Sequence, residues 1–323
     1  MLTLSIIIVN WNSKNYVRKC LKSIQENGDS LATQVIVVDG GSFDGCDEMI
    51  NNEFSWVEFV QANNNIGFGQ SNNLGATKAS GEYLLLLNPD TELKPGALNH
   101  LVSSAIRSPE LGIMGARLLN SDGTLQTSSV HALPTPLNQF LDSELARRIY
   151  PKSSFFGTAK AYSSQKDTEV EAVSGACMLI RSSLFNDIGG FSSCYFMYAE
   201  DMDLCFKTRK AGLRNYHCPA CEIIHHGGGS SSQQFSKFST VHMCESLNRY
   251  LLINHGSSAS NIYKFLTMLN AFIRLPLLTV WYFSSLNNKH SSTNTSIKRW
   301  LTIIRWTIGL ENWACKTKFK PTI

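Results

Sequence analysis

Two rhythms of apolar and polar positions run through the first hundred residues. Leu4–Val9, Gln34–Val38, Val57–Val60 and Tyr83–Leu87 are short runs dominated by Ile, Val, Leu and Phe, while Tyr16, Val17, Cys20, Leu21 and Ile24 recur at helical spacing. Near-continuous apolar runs mark strands buried on both faces, and their alternation with helical segments predicts stacked βαβ units. The chain is therefore expected to be α/β, with a mostly parallel Rossmann-like sheet flanked by helices.

Farther along, Ser121–Thr168 is rich in Ser, Thr and Pro and reads as a mobile connection with one helix near Leu137–Ile149. From Val170 the string VEAVSGACMLIRSSLFNDIGGF reads as a strand, a helix and a double glycine, and CYFMYA as a buried run ahead of Glu200. EIIHHGGGSS carries a strand into two histidines and three glycines. Beyond about Asn254 the character changes. Tyr263–Leu286 is strongly apolar but interrupted by Lys264, Arg274 and Pro276, short of a clean span of roughly 20 apolar residues. Ile297, Trp300, Leu301, Ile304 and Ile308 then share one helical face.

Composition sharpens this division. The chain has 323 residues, 43% of them hydrophobic, enough for a sizeable core. The net charge of +4 is uneven: from Asn287 to Ile323 seven Lys/Arg stand against one Glu, a local +6 that leaves −2 for the rest. A main domain without a basic surface argues against a nucleic-acid partner. Four of the six tryptophans, at 281, 300, 306 and 313, lie beyond Asn254. Apolar helices with Trp and flanking Lys/Arg fit an anchor in the interface of an anionic membrane; the plainer reading is a helical cap on the main domain. Nine cysteines without repeated spacing fit reduced thiols in a cytoplasmic setting. The opening SIIIVNWN turns polar too soon for a signal-peptide core and is expected as a strand. Cys218-Pro219-Ala220-Cys221 ahead of His225 and His226 has the look of a partial zinc site. It lacks a second suitably spaced cysteine pair, so packing thiols are preferred.

Three carboxylate stations carry the candidate chemistry: Asp39, Asp90, and the cluster Glu200-Asp201-Met202-Asp203. Acids usually stay solvated, and Asn88-Pro89-Asp90 alone is an ordinary turn sequence. Asp39 and Asp90, however, each follow an apolar strand, which predicts them at one edge of one sheet, where α/β proteins bind ligands. Glu200 and Asp201 emerge from an apolar run, a setting that tunes carboxylate basicity. His225 and His226 end a strand and are either structural or candidate metal ligands.

Taken in order, SIIIVNWNS, VVDGGSFDG, NNNIGFGQSNNLG, LLLLNPD, VSGACMLIRSSLF, GGFSSCYFMYAEDMDLCFKTRKAG and HHGGGSS resemble glycosyltransferase family 2, in its bacterial rhamnosyltransferase-like branch. The resemblance covers about residues 3–255. It implies a GT-A fold at 1–255, with a nucleotide-binding half to about 115 and an acceptor half beyond, and leaves 256–323 as a helical appendage. By that resemblance Asn10, Asn12 and Asp39 hold the nucleobase and ribose, with Asp39 reading the base. Asn65, Gly67, Phe68 and Asn73 line the nucleotide sugar. Asn88 stands where the metal motif has its first Asp, so Asp90 is the principal carboxylate ligand, with His225 near metal and diphosphate. Asp201 is the catalytic base and Glu200 the fallback, while Asp203 orients Lys207 or Arg209. Gly40 stands where the family's loop commonly has Asn.

The implied reaction is inverting transfer of one sugar to a lipid-linked saccharide. The donor is dTDP-rhamnose or a UDP-hexose, the cofactor a divalent cation, Mg2+ or Mn2+, and the place the cytoplasmic face of the inner membrane. A dinucleotide-dependent oxidoreductase is excluded because SIIIVNWNSKNY has no glycine. A processive synthase is disfavoured by the lack of a Gln-x-x-Arg-Trp motif. A catalytically silent nucleotide-sugar-binding or scaffold subunit is the alternative.

Overall fold

A computed structural model describes residues 3–27, 31–141, 159–227, 236–284 and 290–315. The chain divides into two compact units: Met1–Leu133 with Glu144–Ser193 and Glu200–Ser230, and Pro134–Ser143 with Cys194–Ala199 and Ser231–Ile323.

The first unit is built on strands β1 (Leu4–Asn10), β2 (Thr33–Asp39), β3 (Val57–Gln61), β4 (Tyr83–Leu87), β5 (Thr91–Leu93), β6 (Leu111–Leu119), β7 (Val130–His131), β8 (Thr168–Val170), β9 (Ala172–Val173), β10 (Cys177–Arg181) and β11 (Arg214–His225). Among the described residues nine of them form one sheet in the order β3-β2-β1-β4-β10-β6-β11-β5, with β8 paired to β11; β7 and β9 form a separate ribbon. The expected apolar runs are its centre. Every residue of β1 and of β4 is buried, as continuous Ile and Leu runs require when helices cover both faces. β3, β2, β1 and β4 run parallel, while β10 enters antiparallel between β4 and β6. The start of β10 therefore lies at the edge where β2, β1 and β4 end.

Helix Lys14–Asn27 buries Val17, Cys20, Leu21 and Ile24, the stripe expected from their spacing. Helix Phe68–Ala76 is small-residue for a reason: a Cβ on Gly75 would stand 2.5 Å from Ile7 Cγ2, so a bare backbone lets this helix settle closely on the sheet. Cys218 and Cys221 are fully buried in a core cluster, and the eight cysteines whose side chains are described are all free.

In the second unit, helix Lys237–Ser284 is bent at Gly256, whose φ of 87° breaks the helical path, and contains Pro276. Helix His290–Thr307 packs along it, with Tyr263, Ala271, Ile303 and Trp306 buried. Trp306 Nε1–H donates to Glu245 Oε2 at 3.1 Å, and Ser246 Oγ–H donates to Met197 O at 2.8 Å. The second unit takes in the chain from Ser231, ahead of the boundary expected at 256, and Val241, Cys244 and Tyr250 are buried. The helix expected over Leu137–Ile149 is seen over Pro136–Leu141; residues 142–158 lie outside the described residues.

Candidate active site

The shared edge is organised from β2 toward β10. Asn10 and Asp39 are register partners at the ends of β1 and β2, and both are buried. Asp39 Oδ1 accepts from Asn10 Nδ2 (3.1 Å), Ser42 N (3.3 Å) and Ser42 Oγ (2.5 Å). Its Oδ2 accepts from Phe43 N (3.1 Å) and Gln61 Nε2 (2.9 Å). Five donors on one buried carboxylate make Asp39 the organiser of the Gly40–Gly45 loop. Asn10 Nδ2 also reaches Asp44 Oδ1 (3.0 Å), and Asn10 Oδ1 accepts from Ser13 N and Oγ. Asn12 is exposed, with φ of 50°. An open cleft of about 280 Å³ lies against Asn12, Ser13, Lys14, Asn15, Tyr16 and Asp44. The departure at Gly40 is sterically mild, since a Cβ there would meet nothing nearer than Asn10 O at 3.4 Å; Gly41, with φ of 87° and Asn64 backbone 2.7 Å from its Cβ position, is the glycine the turn requires.

The Asn65–Asn73 stretch turns on helix Phe68–Ala76. Asn65 Oδ1 accepts from Gly67 N (3.0 Å), fixing the turn into the helix, and Gly67 precedes its first residue. Phe68 packs edge-on against Phe191, 6.0 Å between centroids. Asn73 exchanges two 2.9 Å bonds with the Phe191 backbone, so these two side chains tie the helix to the Gly190–Phe191 turn.

At the end of β4 the chain turns through Asn88-Pro89-Asp90 into β5. β5 pairs antiparallel with β11, and Thr91 stands opposite His225. That pairing brings Asp90 Oδ1 to 3.3 Å from His225 Nε2 across 135 positions of sequence. Asn88 Nδ2 is 3.4 Å from the same nitrogen. Gln126 sets the tautomer: its Nε2 donates to Asn120 Oδ1 and His225 O, which turns its Oε1 onto His225 Nδ1 at 2.7 Å. Nδ1 is then the donor, and Nε2 is the nitrogen that faces Asp90. His226 is differently engaged, with Glu92 and Ser121 each at 2.8 Å. Of the glycine run after it, Gly228 and Gly229 lie outside the described residues.

Asp201 joins this edge through the start of β10. Asn88 N–H donates to Ala176 O at 3.0 Å, and the neighbouring Gly175 N–H donates to Asp201 Oδ2 at 3.0 Å. A Cβ on Gly175 would stand 3.3 Å from Asp201 Cβ, so the carboxylate lies close over a bare backbone. Met202 N–H holds Oδ1 at 2.8 Å. Helix Glu200–Lys210 is entered through Tyr198 and Ala199, both at positive φ, a conformation that costs non-glycine residues free energy and is maintained by its surroundings. Asp203 accepts from Ser192 Oγ (2.6 Å) and pairs with Lys207 at 3.7 Å, while Arg209 turns to Glu169.

Glu200 differs from its neighbour. It is buried, Oε2 has no hydrogen-bond partner among the described residues, and burial, with Asp201 and Asp203 adding repulsion, pushes its carboxyl up to about 8. The unfolded chain ionises this group near 4.5, so folding costs progressively more as pH rises between the two values, by at most ~1.4 kcal/mol per pH unit. Glu200→Gln, which cannot ionise, is expected to gain stability over the parent across that window. Urea melts at several pH values would show it; parallel pH dependences for the two proteins would refute it.

Gly175 and Gln126 join the site without having been expected there. VSGA held a signal for the first, as a glycine ahead of a strand, whereas Gln126 sits in a loop with none.

A family model for glycosyl transferase family 2 matches residues 5–189. The chain belongs to this family. Among its relatives is rhamnosyltransferase WbbL of Escherichia coli strain K12, 29% identical over 257 residues, covering 76% of this chain and 91% of that protein. N-acetylglucosaminyl-diphospho-decaprenol L-rhamnosyltransferase of Mycobacterium tuberculosis is 26% identical, covering 74% and 81%. Of solved structures, mannosyltransferase PcManGT of Pyrobaculum calidifontis superposes with TM-score 0.58 at 13% identity, over 94% of this chain and 86% of that one. GalNAc-T7 gives TM-score 0.60, also at 13% identity, over 99% and 58%. At such identities the likeness shows the fold, which is GT-A, as the motifs implied. This family 2 member is a glycosyltransferase.

Proposed function

We propose that the protein transfers a single rhamnose, or a related hexose, from a nucleoside-diphosphate donor to a lipid-linked saccharide, with inversion, in cell-surface polysaccharide biosynthesis. The donor class is dTDP-rhamnose or a UDP-hexose, in line with the rhamnosyltransferases it resembles. The cytoplasmic face of the inner membrane, reached through the helical tail, is the proposed place of work. The observation that carries the reading is the Asn88–Ala176 and Gly175–Asp201 pair of hydrogen bonds, which ties the half-buried Asp201 carboxylate to the segment that presents Asp90 to His225.

In this mechanism Asp201 accepts the proton of the acceptor hydroxyl while that oxygen attacks the anomeric carbon. The glycosidic C–O bond breaks with its electron pair leaving on the nucleoside diphosphate. Glu200, kept protonated by burial, leaves Asp201 as the base. Asp39 acts by holding the loop against which the nucleobase and ribose rest, together with Asn10 and Asn12; Asn65, Gly67, Phe68 and Asn73 shape the adjoining wall.

A divalent cation, Mg2+ or Mn2+, fits the residues present. Asp90 Oδ1 and His225 Nε2 face each other at 3.3 Å, and with the ring neutral both are acceptors that a cation reconciles. Among the described residues no third His, Cys, Asp or Glu joins them, which leaves positions for diphosphate oxygens and water, as Mg2+ sites commonly have. When bound, the ion would neutralise charge on the departing diphosphate. The test is release of free nucleoside diphosphate across a panel of sugar nucleotides with a lipid-linked acceptor. Acceptor-dependent release from one donor supports the reading; nucleotide binding without release from any donor points to a silent binding subunit and refutes it.

A further inference from the structure

The bent helix of the second unit carries an apolar stripe that is left exposed among the described residues. Phe265, Phe272, Leu277, Val280 and Phe283 are each more than half exposed, and with the exposed Leu269 and Ile273 they fall at helical spacing along one side of the helix after Gly256. The helix is long and apolar enough to cross a membrane by length and composition, and only 6% of its most apolar 18-residue window is buried.

The opposite side is polar and occupied. Asn270 Nδ2–H donates to Phe140 O at 3.2 Å, and Arg274 Nε–H donates to Asn270 Oδ1 at 2.8 Å. The Arg274 guanidinium lies over the Trp300 ring at 5.0 Å and the Lys264 ammonium over Trp306 at 5.7 Å. Both tryptophans belong to helix His290–Thr307, which itself carries Lys298, Arg299 and Arg305. A spanning orientation would draw Lys264, Asn270, Arg274 and this basic companion helix into hydrocarbon, where charged side chains are costly. An in-plane orientation buries the stripe alone and leaves the cations at headgroup level.

We infer that the two-helix unit lies flat in one anionic leaflet, the Phe265–Phe283 stripe immersed among acyl chains and the Lys/Arg set facing lipid phosphates. The inference rests on the proposed membrane-side role and gives it a surface, a lipid charge and an orientation. The local +6 of the tail is the complementary charge, since polybasic segments gain binding near anionic lipid.

The test uses the purified full chain in flotation with phosphatidylcholine vesicles, with or without phosphatidylglycerol. The expected result is flotation that needs phosphatidylglycerol, weakens with salt, is reversed by alkaline carbonate, and falls about tenfold for Phe272→Glu and for Leu277→Glu. Circular dichroism confirms that these variants at exposed positions fold. Failure to float with either vesicle overturns the inference. So does retention after carbonate, which marks a spanning helix, or a soluble dimer dissociated by Phe272→Glu, which marks a second copy as the occupant. Flotation requires no turnover: a chain that floats without transferring sugar refutes the catalytic reading alone, and one that transfers sugar without floating refutes this one alone.

Discussion

Asp201→Asn is expected to lower sugar transfer by about a thousandfold, within the range of roughly 10²–10⁴ that a positioned general base contributes, while donor affinity stays nearly unchanged. The substitution is nearly isosteric and its amide oxygen can still accept one of the two backbone N–H groups, from Gly175 or Met202, that hold the carboxylate. The variant therefore keeps the helix entry and loses the proton acceptor. Nucleotide binding by calorimetry and turnover by diphosphate release separate the two effects. Glu200 cannot take over, because its burial holds it in the acid form up to about pH 8. Unchanged turnover in Asp201→Asn would remove this residue from the base role, and a loss confined to donor affinity would make it a binding residue.

The parts of the fold that were legible are those where burial leaves a one-dimensional trace. β1, β2 and β4 are covered on both faces and so are written as unbroken Ile, Val and Leu. β6 has the same surroundings but was not evident from the pattern, because its run LGIMGARLL is interrupted by glycines. The structure gives the reason: a Cβ on Gly115 would stand 2.6 Å from Val173 Cβ, and one on Gly112 would stand 2.8 Å from Asn215 Oδ1. Cross-sheet crowding selected residues that mimic a loop. The apolar tail misled in the other direction. Lys264 and Arg274 break the hydropathy of Tyr263–Leu286, yet both face Trp rings of the companion helix, leaving the stripe on the other side continuous.

For the site, the order of motifs put forward candidate residues but carried no trace of how they hold one another. Asp39 was expected to read a base, and its carboxylate is occupied by five donors from Asn10, Ser42, Phe43 and Gln61; only the loop's folded path makes that count possible. Asp90 and His225 meet because β5 reverses against β11, a pairing with no local signature. Gln126 is least legible of all. It contributes through the orientation of one amide, fixed by Asn120 and by the His225 carbonyl.

That amide makes the Asp90 centre testable in graded steps. Asp90→Ala is expected to lower kcat/KM by about a hundredfold or more, on the scale of losing electrostatic stabilisation of a developing charge, and to abolish the Mn2+ dependence of donor binding. His225→Ala should weaken Mn2+ less, since the carboxylate remains. Gln126→Leu leaves both metal-facing atoms in place and removes the acceptor for Nδ1–H, together with the amide N–H bonds to Asn120 Oδ1 and His225 O, so the ring loses its fixed orientation. Partners of this kind typically alter metal affinity by 10–100-fold. The Gln126 variant should thus need more Mn2+ for half-maximal rate and recover the parental kcat at saturation, whereas a merely structural defect would lower kcat at every metal concentration. Mn2+ titrations of all three variants by electron paramagnetic resonance read affinity without turnover. If Asp90→Ala binds Mn2+ as the parent does, the cation is held elsewhere and Asp90 serves only the turn between β4 and β5.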